Sequence, residues 1–360
     1  MLGQIKELAC KLQKEIEESS KIFIVGHNGP DFDAIGSAIG LQALATHLGR
    51  DAYIVVDEED AKLEPGVKKI IDENKEEFHI IKKADFMGLV DENSLLIATD
   101  VNKSTMISLG DSLDKVRHTI VIDHHSEDDN TIETEDKFIS QEVSSASEVV
   151  ARILYLLKVP YTQSIANYLL AGISLDTKRF RQNTTDKTHE VAEKLIKNGA
   201  NIDYVNNLFL EEFESFCRIS DLIVHGTVIK KYSLSLLAPI QVSFSLNREK
   251  PTQVYLKEDY AKAADRMMKF DGIDAAFTLG FVEDGNIHIS ARSGKRVNVG
   301  EIMKEMGGGG NSQSAGGRIE SKDLLDVERK LMLSVPKGIP EEEDIATEPP
   351  IIKMKQIKKN

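Results

Sequence analysis

Residues 21–41 read KIFIVGHNGPDFDAIGSAIGL: an apolar run, a tight polar turn, then a helix start. The run IFIV at 22–25 is short, branched and uninterrupted, the composition of a strand buried on both faces. Asn28, Gly29 and Pro30 are turn formers, and an aspartate at the head of a helix can accept hydrogen bonds from its free N–H groups. One capping aspartate would complete that account. Asp31 and Asp33 crowd the same turn with His27, and like charges this close repel unless a cation or a proton neutralises them. Helix cap and metal ligand both stand as readings of this stretch alone.

Outward from it, three further runs share its character: AYIVV at 52–56, LLIAT at 95–99 and TIVI at 119–122. They alternate with segments of helical character, the pattern of a parallel α/β sheet with both faces covered. The runs lead into GH at 26, DEED at 57, DVN at 100 and DHH at 123. Parallel sheets bind ligands beyond the carboxyl ends of their strands, so these followers are candidate site residues.

At 360 residues the chain has room for two cores, and two domains are expected. No apolar run approaches the roughly 20 residues that span a bilayer, and the N-terminal 20 residues lack the apolar core of a signal peptide, so a cytoplasmic protein without a membrane anchor is expected. Cys10 and Cys217 are too few for a disulfide framework and read as buried small apolar residues. A net charge of −14 works against binding long nucleic acid, which relies on cations displacing phosphate counterions; a short nucleotide neutralised by metal is still allowed.

From 144 to about 199 the text turns helical, and 201–223 reads as one further helix joining two halves. Strand-like runs return in LSLLAPIQVSFSL, AAFTLGFV and NIHISA, with a helical EDYAKAADRMMKF among them, which makes a second α/β domain. The expected division is 1–199, a helical linker 200–224, 225–335, and a tail of proline, acid and lysine over 336–360.

Three places join the opening turn as site candidates: Asp100 after LLIAT, Asp123 with His124 and His125 after TIVI, and Asp176 closing AGISLD. Each has an ordinary explanation. Asp100 could cap a helix starting near Lys103, and a histidine pair is commonly a surface pair. Asp176 is the awkward one, since a negative charge at a helix C-terminus opposes the dipole and asks for a compensating cation. Together they supply two histidine ligands and four carboxylates, enough for two divalent ions sharing one aspartate. Mixed imidazole and carboxylate donors suit manganese, with iron, cobalt or magnesium as alternatives. Two such ions roughly 3.5–4 Å apart can activate a water for in-line attack on phosphorus, so the expected chemistry is phosphoester hydrolysis.

In the second half, MKEMGGGGNSQSAGG follows a helical VNVGEIMKEM. Gly307 to Gly310 strip every Cβ from the loop and let backbone N–H groups approach an anion; a flexible linker is the plain alternative.

HNGPDFDAIG, TDVN, VIDHH and ISLDT resemble the four motifs of the DHH phosphoesterase superfamily, and ISARS with GGGGNSQSAGG resembles its DHHA1 substrate domain. The resemblance runs in order through nearly all of 20–335. It implies an N-terminal parallel-sheet DHH domain joined by a helical connection to a smaller α/β DHHA1 domain, with the site in the cleft between them. It puts His27, Asp31, Asp33, Asp100, His124 and Asp176 on metal-ligand positions, Asp100 bridging. His125 falls where the family meets the substrate phosphate or protonates the leaving oxygen, with Asp123 orienting the histidine pair. Gly308, Gly309, Gly310, Asn311 and Arg292 are the implied phosphate contacts; the family usually has histidine where Asn311 stands, and asparagine cannot become cationic.

Among the activities of the superfamily, the wording is most similar to the catalytic region of cyclic di-AMP phosphodiesterases, taken here without membrane or sensory domains. The resemblance implies a manganese-dependent enzyme opening cyclic di-AMP to linear pApA and continuing to AMP, and a homodimer. The alternatives are an exonuclease on two- to five-nucleotide RNA with adenosine bisphosphate phosphatase activity, and a non-catalytic nucleotide sensor that kept the pocket.

Overall fold

The computed structural model describes residues 2–56, 63–107, 109, 115–116, 118–230, 241–246, 255–282, 285–294, 296–321 and 323–338. The chain divides into two compact units, Met1–Leu210 and Glu211–Asn360.

In the first unit, α1 (Leu2–Glu18) precedes the strands β1 (Ile22–Val25), β2 (Ala52–Val55), β3 (Ile80–Ile81), β4 (Leu95–Thr99), β5 (His118–Asp123) and β6 (Lys137–Ile139). They form one six-stranded sheet in the order β3-β2-β1-β4-β5-β6, parallel at every pairing. Alternation within β1 divides its side chains between two cores. Ile22 and Ile24 enter the one built with helices α2 (Phe32–His47), α5 (Ala146–Leu156) and α6 (Gln163–Asp176), while Phe23 and Val25 pack with Phe86 of α4 (Lys83–Leu89). Double burial is why the run contains no polar residue. The order reverses direction between β1 and β4, so the carboxyl ends of these strands flank the switch point of a doubly wound sheet.

Helix α2 is buried almost all round, and burying Phe32, Ile35, Ile39 and Leu44 contributes about 1.5–3 kcal/mol each. Its close approach to α6 requires glycine: a Cβ on Gly36 would lie 2.4 Å from the Tyr168 carbonyl oxygen. Helices α3 (Pro65–Asn74), α7 (Asp186–Lys197) and α8 (Ile202–Leu208) complete the unit.

The second unit contains α9 (Phe213–Val224), β7 (Thr227–Lys230), β8 (Gln241–Leu246), α10 (Lys257–Met267), β9 (Ala275–Phe281), β10 (Ile287–Ser293), α11 (Val299–Glu305), β11 (Gly309–Gly310), β12 (Ser314–Ile319) and α12 (Leu324–Ser334). Its sheet runs β11-β12-β10-β9-β8-β7, antiparallel except between β8 and β9.

Four expectations change. The single helix over 201–223 is two, α8 and α9, because the chain leaves α8 at Phe209, whose ring packs on Phe32 at 4.6 Å. Cys10 and Cys217 are exposed: α1 buries Ile5, Leu8, Ala9, Leu12 and Ile16, and Cys10 falls off that stripe, while α9 buries only Ile219 and Leu222. The stretch read as a tail begins inside the fold, since a 3-10 turn at Val335–Gly338 buries Val335 and its Gly338 carbonyl accepts from Asn298 N at 2.6 Å. Among the described residues Asp100 caps no α-helix; a 3-10 turn at Ser104–Met106 follows, with Lys103 at its head. DEED at 57–60, the stretch 234–240 and the remainder from 339 lie outside the described residues. Among the described residues no helix is long and apolar enough to cross a membrane.

Candidate metal centre

Three adjacent strand ends deliver the first ligating groups. Beyond β1, His27 Nδ1 donates to the Asn28 carbonyl at 3.0 Å, which leaves Nε2 with a lone pair for other use. Beyond β4, Asp100 adopts a left-handed backbone (φ 57°) while its N–H still donates to Ile122 O at 2.9 Å. Aspartate tolerates that conformation better than most residues, and the turn aims the two carboxylate oxygens apart. Oδ2 lies 3.6 Å from His27 Nε2, and Oδ1 lies 3.3 Å from Nε2 of His124, the first residue beyond β5.

Helix α2 brings both aspartates of the opening turn, and both readings of that turn hold in its geometry. Asp31 is the N-cap: its Oδ1 accepts from Asp33 N at 2.8 Å and Ala34 N at 3.1 Å, and its Oδ2 stands 3.7 Å from His27 Nε2. Asp33 is fully buried and sits on the N-terminus of α5, where Oδ2 accepts from Ala146 N at 2.7 Å and Oδ1 from Ser147 N at 2.8 Å. Helix α6 ends on Asp176, whose Oδ2 lies 3.2 Å from His124 Nε2. Gly172, one turn earlier, makes room: a Cβ there would lie 2.7 Å from Asp33 Oδ1 and 2.3 Å from Ser147 Oγ.

Three overlapping sets lie within ligand distance: His27, Asp31 and Asp100; Asp33, Asp100, His124 and Asp176; and Asp100, Asp123, His124 and His125. The first two bring together all six residues expected as ligands, and Asp100 is common to all three. Asp100 Oδ1, His124 Nε2 and Asp176 Oδ2 are buried without a hydrogen-bond partner, although His124 Nε2 faces both oxygens. Buried polar atoms are ordinarily satisfied, so orphaned lone pairs converging from acids and imidazoles fit a divalent cation.

Electrostatics agree. Burial and the neighbouring Asp100 and Asp176 charges push Asp33 well above the carboxylate range. Burial raises Asp100 to about 6 against the pull of His124. Burial by itself would lower the histidines, but Asp31 and Asp100 hold His27 up at about 9, and Asp100, Asp176 and Asp33 hold His124 up at about 11. These values describe a metal-free cluster that keeps protons where cations would otherwise sit.

Within the third set, Asp123 Oδ1 accepts from His124 N at 2.7 Å, His125 N at 3.2 Å and His125 Nδ1 at 2.8 Å. The histidine pair is thus hung on one buried carboxylate oxygen, and the His125 side chain is 57% exposed. Sequence reading missed Asn102, buried, whose Nδ2 reaches the carbonyls of His125 and Ser126 at 3.4 Å each. Its place two residues after Asp100 was the available signal. Ala146 and Ser147, which hold Asp33 by backbone N–H, left none.

In the second unit the glycines are packed. Gly307 (φ 80°) ends α11, and the N–H groups of Gly307 and Gly308 donate to Lys304 O and Met303 O, so the Gly308 N–H is spent on the helix terminus. Gly309 and Gly310 pair with β12, and a Cβ on Gly310 would lie 2.4 Å from the Ala315 Cα. Asn311 Oδ1 accepts from Gln313 N at 2.9 Å and Ser314 N at 2.8 Å, which fixes the hairpin turn and leaves Nδ2 as its outward donor group. Arg292 Nε donates to Asp265 at 2.8 Å, and NH1 to the Ala291 carbonyl.

The parallel sheet, its switch point and the histidine–aspartate cluster agree with the fold expected of a DHH domain. Residues 21–173 match the DHH family, N-terminal domain, and residues 253–334 match the DHHA1 domain; the chain belongs to this family. It is 29% identical over 331 residues to the cyclic-di-AMP phosphodiesterase PdeA of Listeria monocytogenes, covering 90% of this chain and 48% of that protein. The chain thus spans about half the length of the cyclic-di-AMP phosphodiesterases it matches. It is 24% identical to the bifunctional oligoribonuclease and PAP phosphatase NrnA of Thermus thermophilus, covering 91% of this chain and 92% of that one. An exopolyphosphatase-related protein from Bacteroides fragilis shares the fold, with a TM-score of 0.75 at 20% identity over 92% of this chain and 96% of that one.

Proposed function

We propose that this chain is a manganese-dependent phosphodiesterase that opens cyclic di-AMP to linear pApA and carries some product on to AMP. The observation that supports it best is Asp100, whose two oxygens face His27 and His124 and so belong to two ligand sets at once. In this reading His27, Asp31 and Asp100 hold one divalent ion, and Asp33, Asp100, His124 and Asp176 hold the other. The ions, when bound, supply Lewis-acid polarisation of the phosphate and an acidified water.

The chain's own groups do the rest. Asp123 accepts the hydrogen bond from His125 Nδ1, leaving Nε2 to hand a proton to the departing ribose oxygen. The Asp31 and Asp33 carboxylates are fixed by backbone N–H groups, which restricts their motion before substrate arrives. Arg292 exchanges Asp265 for substrate phosphate, with Gly309, Gly310 and the Asn311 amide as further phosphate contacts and Gly308 as their packed support. A homodimer in the cytoplasm belongs to the same proposal.

Similarity to the cyclic-di-AMP phosphodiesterases supports the cyclic substrate; the end-to-end match with NrnA favours the second reading, cleavage of very short RNA and of adenosine bisphosphate. A manganese-supplemented time course with cyclic di-AMP and pApA as separate substrates separates them. Opening of the ring with pApA accumulating is expected. Cleavage of pApA alone would favour the short-RNA reading, and no turnover of either by metal-loaded protein would favour a sensor.

A further inference from the structure

Directly beyond Asp176 the backbone does something unusual. Lys178 (φ 47°), Arg179 (φ 59°) and Phe180 (φ 59°) are three consecutive residues with side chains in the left-handed region. Each costs backbone energy, and such outliers persist only where surrounding structure over-determines them. Here it does. Thr177, fully buried, donates through Oγ1 to Ile173 O at 2.6 Å and accepts there from Phe180 N at 2.9 Å. Arg179 N donates to Ser174 O at 2.7 Å, and Arg181 N returns to Thr177 O at 2.8 Å. The Phe180 ring stacks on His189 at 5.6 Å, and the Arg179 guanidinium lies over Phe209 at 5.4 Å.

The turn fixes two of its side chains and spends neither of the other two cations. Lys178 and Arg181 are exposed, and among the described residues their side chains enter no ion pair or hydrogen bond. Position 178 is two peptide units from Asp176, a Cα separation of at most about 7.6 Å. The hydrogen bond from Arg181 N brings position 181 back beside Thr177. Two unpaired cations therefore flank the end of the metal cluster, in a chain whose net charge is −14.

We propose that Lys178 and Arg181 form an anion subsite for the second phosphate of a dinucleotide whose first phosphate lies at the metal centre. The proposal rests on the phosphodiesterase reading above and deepens it: a substrate with two phosphates is held more tightly than one with a single phosphate. Favourable placement of cations at the C-terminus of α6 would account for their charge without a ligand, but it would change only stability.

The test is calorimetric titration of a hydrolysis-resistant phosphorothioate analogue of pApA, and of AMP, into the manganese-loaded full chain, comparing wild type with K178N/R181Q. Asparagine keeps the left-handed position accessible. Affinity for the pApA analogue should fall about tenfold or more with a shallower salt dependence, while that for AMP changes less than about twofold and the bound manganese is unchanged. R181Q alone, which leaves the left-handed residues untouched, should give part of the loss, and the charge-keeping K178R/R181K should restore affinity. Equal losses for both ligands, or an unchanged pApA affinity, would overturn the subsite and leave the phosphodiesterase reading standing. A wild-type chain that binds neither nucleotide overturns both.

Discussion

Asp100 Oδ1 lies 3.3 Å from His124 Nε2, both atoms are buried, and neither has a hydrogen-bond partner. Water cannot solvate the pair and hydrogen-bond geometry does not join it, so a proton or a cation must supply the missing charge compensation.

The metal-free chain should therefore lose stability as pH rises. His27 and His124 are raised from 6.5 to about 9 and about 11, so their contribution is full below pH 6.5 and lost as pH climbs through the folded values. Asp100, raised from 3.8 to about 6, acts in the same direction because the folded state binds more protons than the unfolded one between those values. Thermal unfolding in chelator from pH 6 to about 9.5 should show a falling midpoint. Manganese should reverse or flatten the trend, since binding requires neutral histidines and ionised carboxylates. A midpoint that rises with pH in chelator would rule out this account of the cluster.

Gly172 has no room for a methyl group, as the space is filled by Asp33 Oδ1 and Ser147 Oγ. G172A should cost about 1–3 kcal/mol of stability and weaken metal binding. Exposed Gly88, within α4 and with nothing within 4 Å of its would-be Cβ, is the control, and G88A should gain about 0.4–1 kcal/mol with metal affinity unchanged. Similar metal affinities for G172A and wild type would remove Gly172 from the support of Asp33.

His125 is raised above its ordinary pKa chiefly by its hydrogen bond to Asp123. H125A should lower turnover about 10²–10⁴-fold with bound metal retained. D123N should also slow turnover, because Asp123 Oδ1 holds the ring and both backbone N–H groups of the pair. Loss of metal in H125A, measured by elemental analysis, would recast His125 as a ligand.

Much of this was legible in the sequence because the chemistry lies where strands end. Double burial keeps β1, Leu95–Ala98 of β4 and Ile120–Ile122 of β5 apolar, so the first acids and histidines after those runs stand out. The edge strands β3 and β6 escaped notice: two and three residues, with Lys137 exposed, carry no periodicity. Asp33's partners also stayed hidden, since Ala146 and Ser147 contribute backbone N–H groups that no side chain advertises, 113 and 114 residues away. The glycine run reads as a packed loop whose backbone N–H groups can approach an anion; that Gly307 and Gly308 close α11 depends on φ values and hydrogen bonds rather than on composition.

Asn311 already serves its own turn through Oδ1. N311D keeps that acceptor and replaces the amide donor with negative charge, so it should weaken substrate binding severalfold without altering metal content or unfolding midpoint. An unchanged KM would exclude Asn311 from phosphate contact.

The most direct test is the metal content of wild type and D100A, counted after equilibration with manganese. Wild type should hold about two ions per chain, and D100A should lose metal and at least about a hundredfold in turnover together. Two ions and full turnover in D100A would contradict a cluster shared through Asp100.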